Sequence, residues 1–280
     1  ARERLQLLQR TPANTLTSNV GGLNPPEHIA QIFQVIDASR PLVAAAPKTT
    51  LNRGTLTYPS LDTRPVVAVQ ATQKTEAGNT GLAVSMKTAT AVTYLGGGDL
   101  SWQAINWSTP DALALWFQIA AADYALKTET AAGDAVTDDA FTNIISSPLS
   151  GTPDYATIMT AIGAGYAKVF EQSKRLANTL IVAPDRYGYL LGLTSTATSL
   201  FITVDGQHIG PMNLLTSRGL GSGEMVVGDM AGLLVAETAG APVELRVVEP
   251  AIGGVEVGII GAFASVVVDP GSFALITTAS

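Results

Sequence analysis

Residues 108–136 read STPDALALWFQIAAADYALKTETAAGDAV, and this stretch decides the fold. Its first residues are helix-start signals, because Ser108 or Thr109 can act as N-cap and Pro110 fits the first helical position. Asp111 complements the positive end of the helix that follows. Apolar residues then recur at steps of three and four along one helix face, namely Leu113, Trp116, Phe117, Ala120 and Tyr124. The stretch predicts a helix of roughly twenty residues, longer than an ordinary connector.

The region before this helix predicts a long β-hairpin. Residues 54–107 are rich in Thr, Val, Tyr and Leu and are punctuated by Pro and Gly, a composition that favours strands. Residues 66–74 and 82–94 are the predicted strands, and residues 76–81 are the turn, since Gly and Asn tolerate positive φ. A further strand is expected over 100–107. An isolated hairpin is only marginally stable in water, so this one needs another surface to lie on.

Shorter patterns predict the other elements. An extended arm covers 1–26, and a short amphipathic helix covers 27–38. After the long helix come a helix opened by Pro153 and Asp154 that ends at Lys174, a buried strand over 178–184, a short helix capped by Asp185 that ends at Leu193, and loops over 194–223. The final strands are predicted at 225–228, 233–236, 243–249 and 255–276, with a break near Asp269. Together these elements predict an α+β fold.

Charge is sparse and unevenly distributed. Only 14% of residues are charged, against roughly 25% in ordinary soluble domains, so much of the surface must be neutral or covered by partners. Residues 1–64 hold seven Lys or Arg against four acids, whereas the rest hold nine against nineteen. An acidic body with a mildly basic arm argues against a dedicated nucleic-acid binder, which would concentrate basic charge on one face. It is compatible with a container that touches enclosed nucleic acid weakly.

Several classes of site are excluded or weak. Cysteine is absent, which rules out disulfides and thiolate metal sites. No apolar run reaches the roughly 18 residues of a membrane span. The only histidines, His28 and His208, lack metal-ligand spacing, and Asp138-Asp139 lacks the alternating acids of a calcium loop. We therefore expect neither a metal nor another cofactor.

The remaining motifs also predict structure rather than catalysis. G-x-S-x-G is missing, and the phosphate-loop lookalike at 219–223 has no preceding strand, no following helix and no Lys-Ser/Thr pair, so it predicts a flexible loop. Residues 96–98, Gly-Gly-Gly, predict a bend or hinge. Trp102, Trp107 and Trp116 are expected in the core. With no convincing acid-base pair, the chain is not expected to be an enzyme.

The order of arm, short helix, hairpin, long helix, second helix and mixed terminal region resembles the HK97-fold major capsid proteins of tailed double-stranded DNA bacteriophages. The resemblance spans nearly the whole chain. It is most specific at 181–187, IVAPDRY, continuing to Leu193, and at 226–230, VVGDM, followed by 243–247, VELRV. The closing strands over 262–274 are similar as well. The resemblance implies an N-arm, an extended E-loop hairpin, a long spine helix, a peripheral domain and an axial domain.

The resemblance also implies how the chain is divided and what it does. The implied segments are the N-arm over 1–50, the E-loop and its flanking strands over 54–107, the peripheral domain with the spine helix over 108–176, the axial domain over 178–242, and the last peripheral strands over 243–280. The implied function is self-assembly through pentamers and hexamers into an icosahedral shell around double-stranded DNA. Implied partners are further copies, portal and scaffold proteins, a cement or decoration protein and weakly bound DNA, without a membrane. The implied location is the virion capsid, assembled in the host cytoplasm.

Cross-linking is a point on which members of this family differ. Some lock the shell by an isopeptide bond between an E-loop Lys and an Asn of a neighbouring subunit. Lys74 and Lys87 lie in the predicted hairpin, but no Asn follows Asn213, so a non-covalent shell is expected. No N-terminal scaffolding segment is seen, which we expect to mean proteolytic maturation or a separate scaffold. The side chains expected at E-loop and arm contacts between subunits are Arg10, Arg40, Arg64, Lys74, Glu76 and Lys87.

Two other functions stay open at this point. An encapsulin-type bacterial compartment shares the fold but encloses cargo enzymes instead of a genome. A hydrolase that uses Ser222 or Asp185 is the more distant alternative. Closed particles of uniform size would separate either shell from an enzyme, and the enclosed material would separate the two shells.

Overall fold

The computed structural model describes residues 14–15, 40–74, 78, 81–108, 111–138, 143–147, 153–192, 208–269 and 271–278. The predicted helix over 27–38 lies outside these residues, and so does the predicted arm apart from 14–15. The chain divides into two compact units. The first unit comprises Ala1–Ser39, Val92–Lys127 and Thr238–Phe263, and the second comprises Arg40–Ala91, Thr128–Glu237 and Ala264–Ser280.

Helices and strands mix throughout the described residues, as the sequence predicts. The helices are α1 (Pro41–Ala45), α2 (Trp102–Trp107), α3 (Ala112–Thr137), α4 (Tyr155–Ser173) and α5 (Pro184–Gly192). The strands up to α5 are β1 (Asn14–Thr15), β2 (Lys48–Leu51), β3 (Thr55–Thr63), β4 (Ala83–Thr90), β5 (Val92–Ser101), β6 (Asn143–Ser147) and β7 (Thr179–Val182). The strands after it are β8 (His208–Ile209), β9 (Met212–Thr216), β10 (Met225–Gly228), β11 (Leu233–Thr238), β12 (Val243–Glu249), β13 (Gly254–Val267) and β14 (Phe273–Thr278).

The first unit is built around strand β5. Strand β13 runs antiparallel to β5, from Gly254 opposite Ser101 to Phe263 opposite Val92, and β12 pairs with β13 in turn. The two-residue strand β1 runs parallel to β5. Helix α3 covers one face of this sheet, where Phe117 packs against Leu100 and Val257.

Two expectations for the first unit are wrong. A strand over 100–107 does not form, because the hydroxyl of Ser101 accepts a hydrogen bond from the N–H of Ala104 and caps helix α2. Residues 96–98 do not bend either, because they lie inside β5 opposite β13. Gly98 is required there for space, since a Cβ atom would lie 2.9 Å from the indole nitrogen of Trp116. Gly98 therefore serves helix packing rather than flexibility.

The long helix is confirmed and extends further than expected, over 26 residues as α3. Its cap is Asp111, whose Oδ1 atom accepts from the N–H of Leu113 at 2.9 Å. The hydroxyl of Ser108 accepts from the N–H of Ala112 at 3.1 Å. Thr109 and Pro110 lie outside the described residues. Local polar side chains thus set the start of the helix, but it begins at Ala112, two residues after the predicted first position.

The second unit contains a six-stranded sheet in the order β6-β14-β10-β7-β9-β8. Every residue of β7 is buried, which confirms the predicted strand there. Helix α4 packs its apolar face on this sheet through Ile158 and Ile162. It begins as predicted, because the carboxylate of Asp154 accepts a hydrogen bond from the N–H of Thr157 at 2.9 Å.

Two details of the second unit differ from expectation. Strands β8 and β9 form where the sequence predicted only loops, because β9 adds to the exposed edge of β7 as a parallel neighbour. Residues 193–207, which belong to the same predicted loop, lie outside the described residues. Asp185 lies in the first turn of α5 instead of capping it. The final strands 225–228, 233–236 and 243–249 are confirmed. The predicted strand segment 255–276 divides near Asp269 into β13 and β14, as expected.

Candidate assembly surface

The predicted hairpin exists, but one of its strands is misplaced. Strands β3 and β4 form a two-stranded antiparallel sheet from Thr55 opposite Thr90 to Thr63 opposite Ala83. Residues 66–74, predicted as the first strand, form no strand, because a segment of strand-like composition becomes a strand only where a neighbouring strand pairs with it. The predicted second strand is divided between β4 and β5.

The two faces of the hairpin differ sharply in burial. Tyr58 and Ser60 on β3 are buried. The opposite face is apolar yet open to water: Met86 lies across from Pro59 and is 66% exposed, and Val84 lies across from Leu61 and is 55% exposed. We call Pro59, Leu61, Val84 and Met86 the apolar hairpin face. Contiguous exposed apolar surface of this kind marks an interaction site in soluble proteins.

Apolar exposure continues along the chain beyond the apolar hairpin face. Val67 and Val69 are almost completely exposed, and Val66 and Leu82 are more than half exposed. These residues follow β3 or precede β4, so they extend the same ribbon. Burial of apolar surface stabilises by roughly 25 cal/mol per Å². Binding of a partner that covers this ribbon is therefore favoured by the apolar surface that it buries.

Arg64 fixes the end of strand β3 within the second unit. Its guanidinium donates to the backbone oxygen of Ser173 at 2.7 Å and to both carboxylate oxygens of Asp269, at 2.9 and 3.1 Å. Such two-pronged pairing is directional as well as charged. Arg64, predicted at a contact between subunits, thus has partners inside its own chain.

The other predicted contact residues are dispersed over the described chain. Lys74 is exposed with a left-handed backbone, φ 64°. Lys87 is half-buried and lies opposite Tyr58 on the covered face of the hairpin. Arg40 donates to a carboxylate oxygen of Glu237 at 2.8 Å and to the hydroxyl of Thr128 at 3.3 Å. Arg10 and Glu76 lie outside the described residues. Their predicted role between subunits stays a prediction.

A buried carboxylate in the middle of α3 was missed by sequence reasoning. The side chain of Glu129 accepts from the N–H groups of Leu42 and Val43, at 3.0 and 3.2 Å, and from the hydroxyl of Ser217. Only 1% of Glu129 is exposed. The residue joins α1, α3 and the loop after β9 within the second unit. Nothing in the Ala-rich helical pattern distinguishes this acid from a solvent-facing one.

The glycine loop at 219–223 has a structural role. The backbone of Gly219 passes against Gly133 and the carbonyl oxygen of Glu129, so a Cβ atom at either glycine would collide with the other chain segment. The hydroxyl of Ser217 also accepts from the N–H of Gly219 at 3.0 Å. The loop is therefore held on α3, and the prediction that it is flexible is wrong.

Ser222 and Asp185, the candidate hydrolase residues, contact each other in the second unit. The hydroxyl of Ser222 donates to a carboxylate oxygen of Asp185 at 2.9 Å, and the N–H of Gly223 donates to the same oxygen at 2.8 Å. Burial tends to raise the pKa of Asp185, but these hydrogen bonds and the N–H of Arg186 outweigh it and lower the pKa. The ionised carboxylate of Asp185 thus holds Ser222 and Gly223 against helix α5, which is a structural role. No histidine is among its hydrogen-bond partners in the described residues.

Comparison with solved structures decides the fold. The chain superposes on the capsid of a native GTA particle with a TM-score of 0.70 at 13% identity, over 95% of this chain and 98% of that chain. It matches a protein of Microbacterium phage Oxtober96 with a TM-score of 0.65 at 14% identity, over 94% and 99% of the two chains. The chain has the HK97-type capsid fold. A virus-like particle from Pyrococcus furiosus shares this capsid fold with a TM-score of 0.61 at 10% identity, over 85% of this chain and 92% of that chain.

Sequence similarity adds nothing to this likeness, since the chain matches no protein-family model and no curated protein. The capsid fold is therefore carried by the order and pairing of elements rather than by retained residues. Identities between 10% and 14% with coverage above four fifths mean that different side chains form the same fold.

Two tryptophans of the capsid fold are exposed, against the expectation that they lie in the core. Trp102 and Trp107 contact each other edge to face with ring centroids 6.3 Å apart, and they are 53% and 64% exposed. Trp116 packs edge to face on Phe117 at 5.1 Å. Large exposed aromatic rings are typical of protein contact surfaces. Together with the apolar hairpin face, they give each unit an uncovered apolar area.

The described part of this capsid fold holds no group of three or more acidic, His or Cys side chains in metal-binding proximity. Across the same described ranges, helices that combine the length and the apolar character of a membrane span are absent.

Proposed function

We propose that this chain is a major capsid protein that assembles through pentamers and hexamers into an icosahedral shell around double-stranded DNA. The apolar hairpin face is the observation that carries the proposal. In a solitary subunit, Val84 and Met86 remain in water and add no stability to the two-stranded ribbon. A neighbouring subunit that covers the ribbon removes this apolar surface from water. The likeness to phage and particle capsids supports the same function.

The proposed assembly divides the chain by role. Residues 1–50 act as the N-arm, 54–107 as the E-loop with its flanking strands, 108–176 and 243–280 as the peripheral domain, and 178–242 as the axial domain. Subunits associate through many modest contacts whose free energies add, so each can be weak while the shell is stable. Portal, scaffold and cement proteins are the proposed partners, and the shell forms in the host cytoplasm. The proposed role is structural, without catalysis.

The shell is proposed to be held without covalent cross-links. The only described lysines of the hairpin region are Lys74 and Lys87, and Lys87 is half-buried against its own hairpin. No Asn occurs after Asn213 to accept an isopeptide bond. Mature particles should therefore give one monomer band on a denaturing gel, and a ladder of covalent oligomers would refute this part of the proposal.

The direct test compares charged variants of the apolar hairpin face with a control. Val84→Asp combined with Met86→Asp should leave a folded subunit and abolish closed particles in electron microscopy. The control, Thr160→Asp combined with Gln172→Asp, adds the same charge at exposed positions of α4 and should assemble like the unchanged chain. Normal particles from the hairpin variant would defeat the proposal. Nucleic acid in the particles supports a genome container, whereas protein cargo would indicate a compartment.

A further inference from the structure

Three acidic side chains lie on one face of the first unit's sheet. Asp99 on β5 lies directly opposite Glu256 on β13, which places both side chains on the same face. Glu249 on β12 lies opposite Gly254, two residues along β13 from Glu256. Alternation along a strand keeps this residue on the same face too. We call Asp99, Glu249 and Glu256 the acidic cluster.

Asp99 is buried without a partner. It is 8% exposed, and its Oδ1 atom has no hydrogen-bond partner. That oxygen lies 2.9 Å from where a Cβ atom of Gly254 would stand. Since Gly254 is the residue opposite Glu249, the carboxylate of Asp99 extends across the strand towards Glu249. The buried oxygen is therefore aimed into the acidic cluster rather than away from it.

The acidic cluster lacks a cation of its own. The ion pairs among the described residues join Glu237, Asp269, Asp229 and Glu244 to arginines, and none includes a member of the acidic cluster. Burial and the charges of Glu256 and Asp99 raise the pKa of Glu249. Like charges placed together and a buried carboxylate without donors both cost free energy. A positive charge placed beside these carboxylates lowers this free-energy cost.

The acidic cluster has two partly exposed members, Glu249 and Glu256, above the buried Asp99. Helix α3 packs on the other face, through Leu100 and Val257. On the same face as the cluster, Leu245 and Val247 of β12 are 45% and 56% exposed. Within the described residues, β12 pairs only with β13, so its outer edge is open as well. An acidic centre beside exposed apolar residues matches a side chain that has a positive end and an apolar stem.

A second copy of this chain supplies such a side chain. No metal-binding group of acids exists in the described residues, which argues against a bound ion as the occupant. Lys48, Arg53 and Lys74 of the second unit are exposed, and none of the ion pairs found in the described chain includes them. An acidic site on one unit and free basic side chains on the other suit a head-to-tail contact between copies, which closes into rings.

We propose that the acidic cluster binds a lysine or arginine of a second copy of this chain, with Asp99 as the buried acceptor. This inference rests on the proposed shell function, since it names one contact by which copies associate. Pairing a buried carboxylate makes the contact specific, because a copy that docks out of register leaves the charge unpaired.

The test measures association and subunit stability together in Asp99→Asn and Glu256→Gln. Glu171→Gln, at an exposed position of α4, is the control for loss of one negative charge. In sedimentation, each cluster variant should need at least ten-fold more subunit to associate than the unchanged chain or the control. The free Asp99→Asn subunit should unfold at a higher denaturant concentration, because it no longer buries an unpaired charge. If Asp99 only stabilised the fold, Asp99→Asn would weaken association and would also lower the denaturant concentration at which the free subunit unfolds.

Three results would overturn the inference. If Asp99→Asn associates at the same concentration as the unchanged chain, the proposed contact is refuted. Closed particles of the unchanged chain would still support the proposed function. An unchanged chain that stays monomeric at every concentration would refute both proposals. A rise in the unfolding temperature of the free subunit with millimolar Ca²⁺ that Asp99→Asn abolishes would replace the second copy by a metal ion.

Discussion

Glu129 and Asp99 are both acids buried in strands or helices of this chain, yet their surroundings are opposite. Glu129, in the second unit, accepts hydrogen bonds from Leu42, Val43 and Ser217. Asp99, in the first unit, has a carboxylate oxygen with no partner at all. A satisfied buried charge holds elements of one chain together, whereas an unsatisfied one costs free energy until something else supplies the missing charge. The same residue type thus serves folding in one unit and, as we propose, assembly in the other.

Removing the satisfied carboxylate should have the largest effect. Glu129→Ala leaves the N–H groups of Leu42 and Val43 buried without acceptors, and we expect a loss of about 3 kcal/mol in the free energy of unfolding. Denaturant unfolding of the free subunit measures it. Glu171→Ala, at an exposed position of α4, should change stability by less than about 0.5 kcal/mol. Equal effects at the two positions would mean that the Glu129 network contributes nothing.

A change at Gly219 should cost Glu129 a hydrogen-bond donor, so that its carboxylate becomes less satisfied, as that of Asp99 already is. The Cβ atom in Gly219→Ala collides with the carbonyl oxygen of Glu129 and pushes the loop that carries Ser217 away from α3. We expect a loss of about 2 kcal/mol in the free energy of unfolding. Gly188→Ala, where a Cβ atom meets nothing within 4 Å, is the matched control. A stability equal to that of the control would show that the close approach is not needed.

Neutralising the unsatisfied carboxylate should have the opposite sign. Asp99→Asn keeps the shape and removes the unpaired charge, so we expect the free subunit to gain about 1 kcal/mol in the free energy of unfolding. Denaturant midpoints of Glu129→Gln and Asp99→Asn, measured side by side, should move in opposite directions. Destabilisation by both would show that Asp99 has a partner in the free subunit and would end the comparison.

Asp185 is an intermediate case and should show the smallest effect. It is exposed but accepts hydrogen bonds that lower its pKa. A lowered folded-state pKa contributes stability above the unfolded value of 3.8, and that stability is lost as the pH falls through the folded-state value. Ser222→Ala should therefore cost about 0.5 kcal/mol at pH 7 and less near pH 2. Unfolding at both pH values checks this, and a cost that does not depend on pH would contradict it.

Elements with local signals were predictable from the sequence. The cap at Asp154 and the buried run of β7 both depend on residues that are neighbours in the chain. The long helix was predictable for the same reason, because polar residues at its start and apolar residues at steps of three and four suffice to mark it. The hairpin was predicted as an element, but its first strand was assigned to 66–74 instead of β3.

The misses depend on residues far apart in the chain. Residues 96–98 have the composition of a bend, yet pairing with β13 and the ring of Trp116 keep them in a strand. Trp102 and Trp107 have the character of core residues but remain exposed. The candidate site was predictable only as a region, since burial on one face of the hairpin and exposure on the other depend on what packs against each face.

The sequence by itself determined the long helix, the buried strand β7, the absence of thiol chemistry and the sparse charge, because these follow from composition and from contacts between near neighbours. Only the tertiary structure decided which acids are paired. Glu129 meets donors that are 86 to 88 positions away, and Asp99 meets Glu256 across a strand pairing. A side chain's charge is written in the sequence, but its solvation and partners depend on which distant segments fold against it.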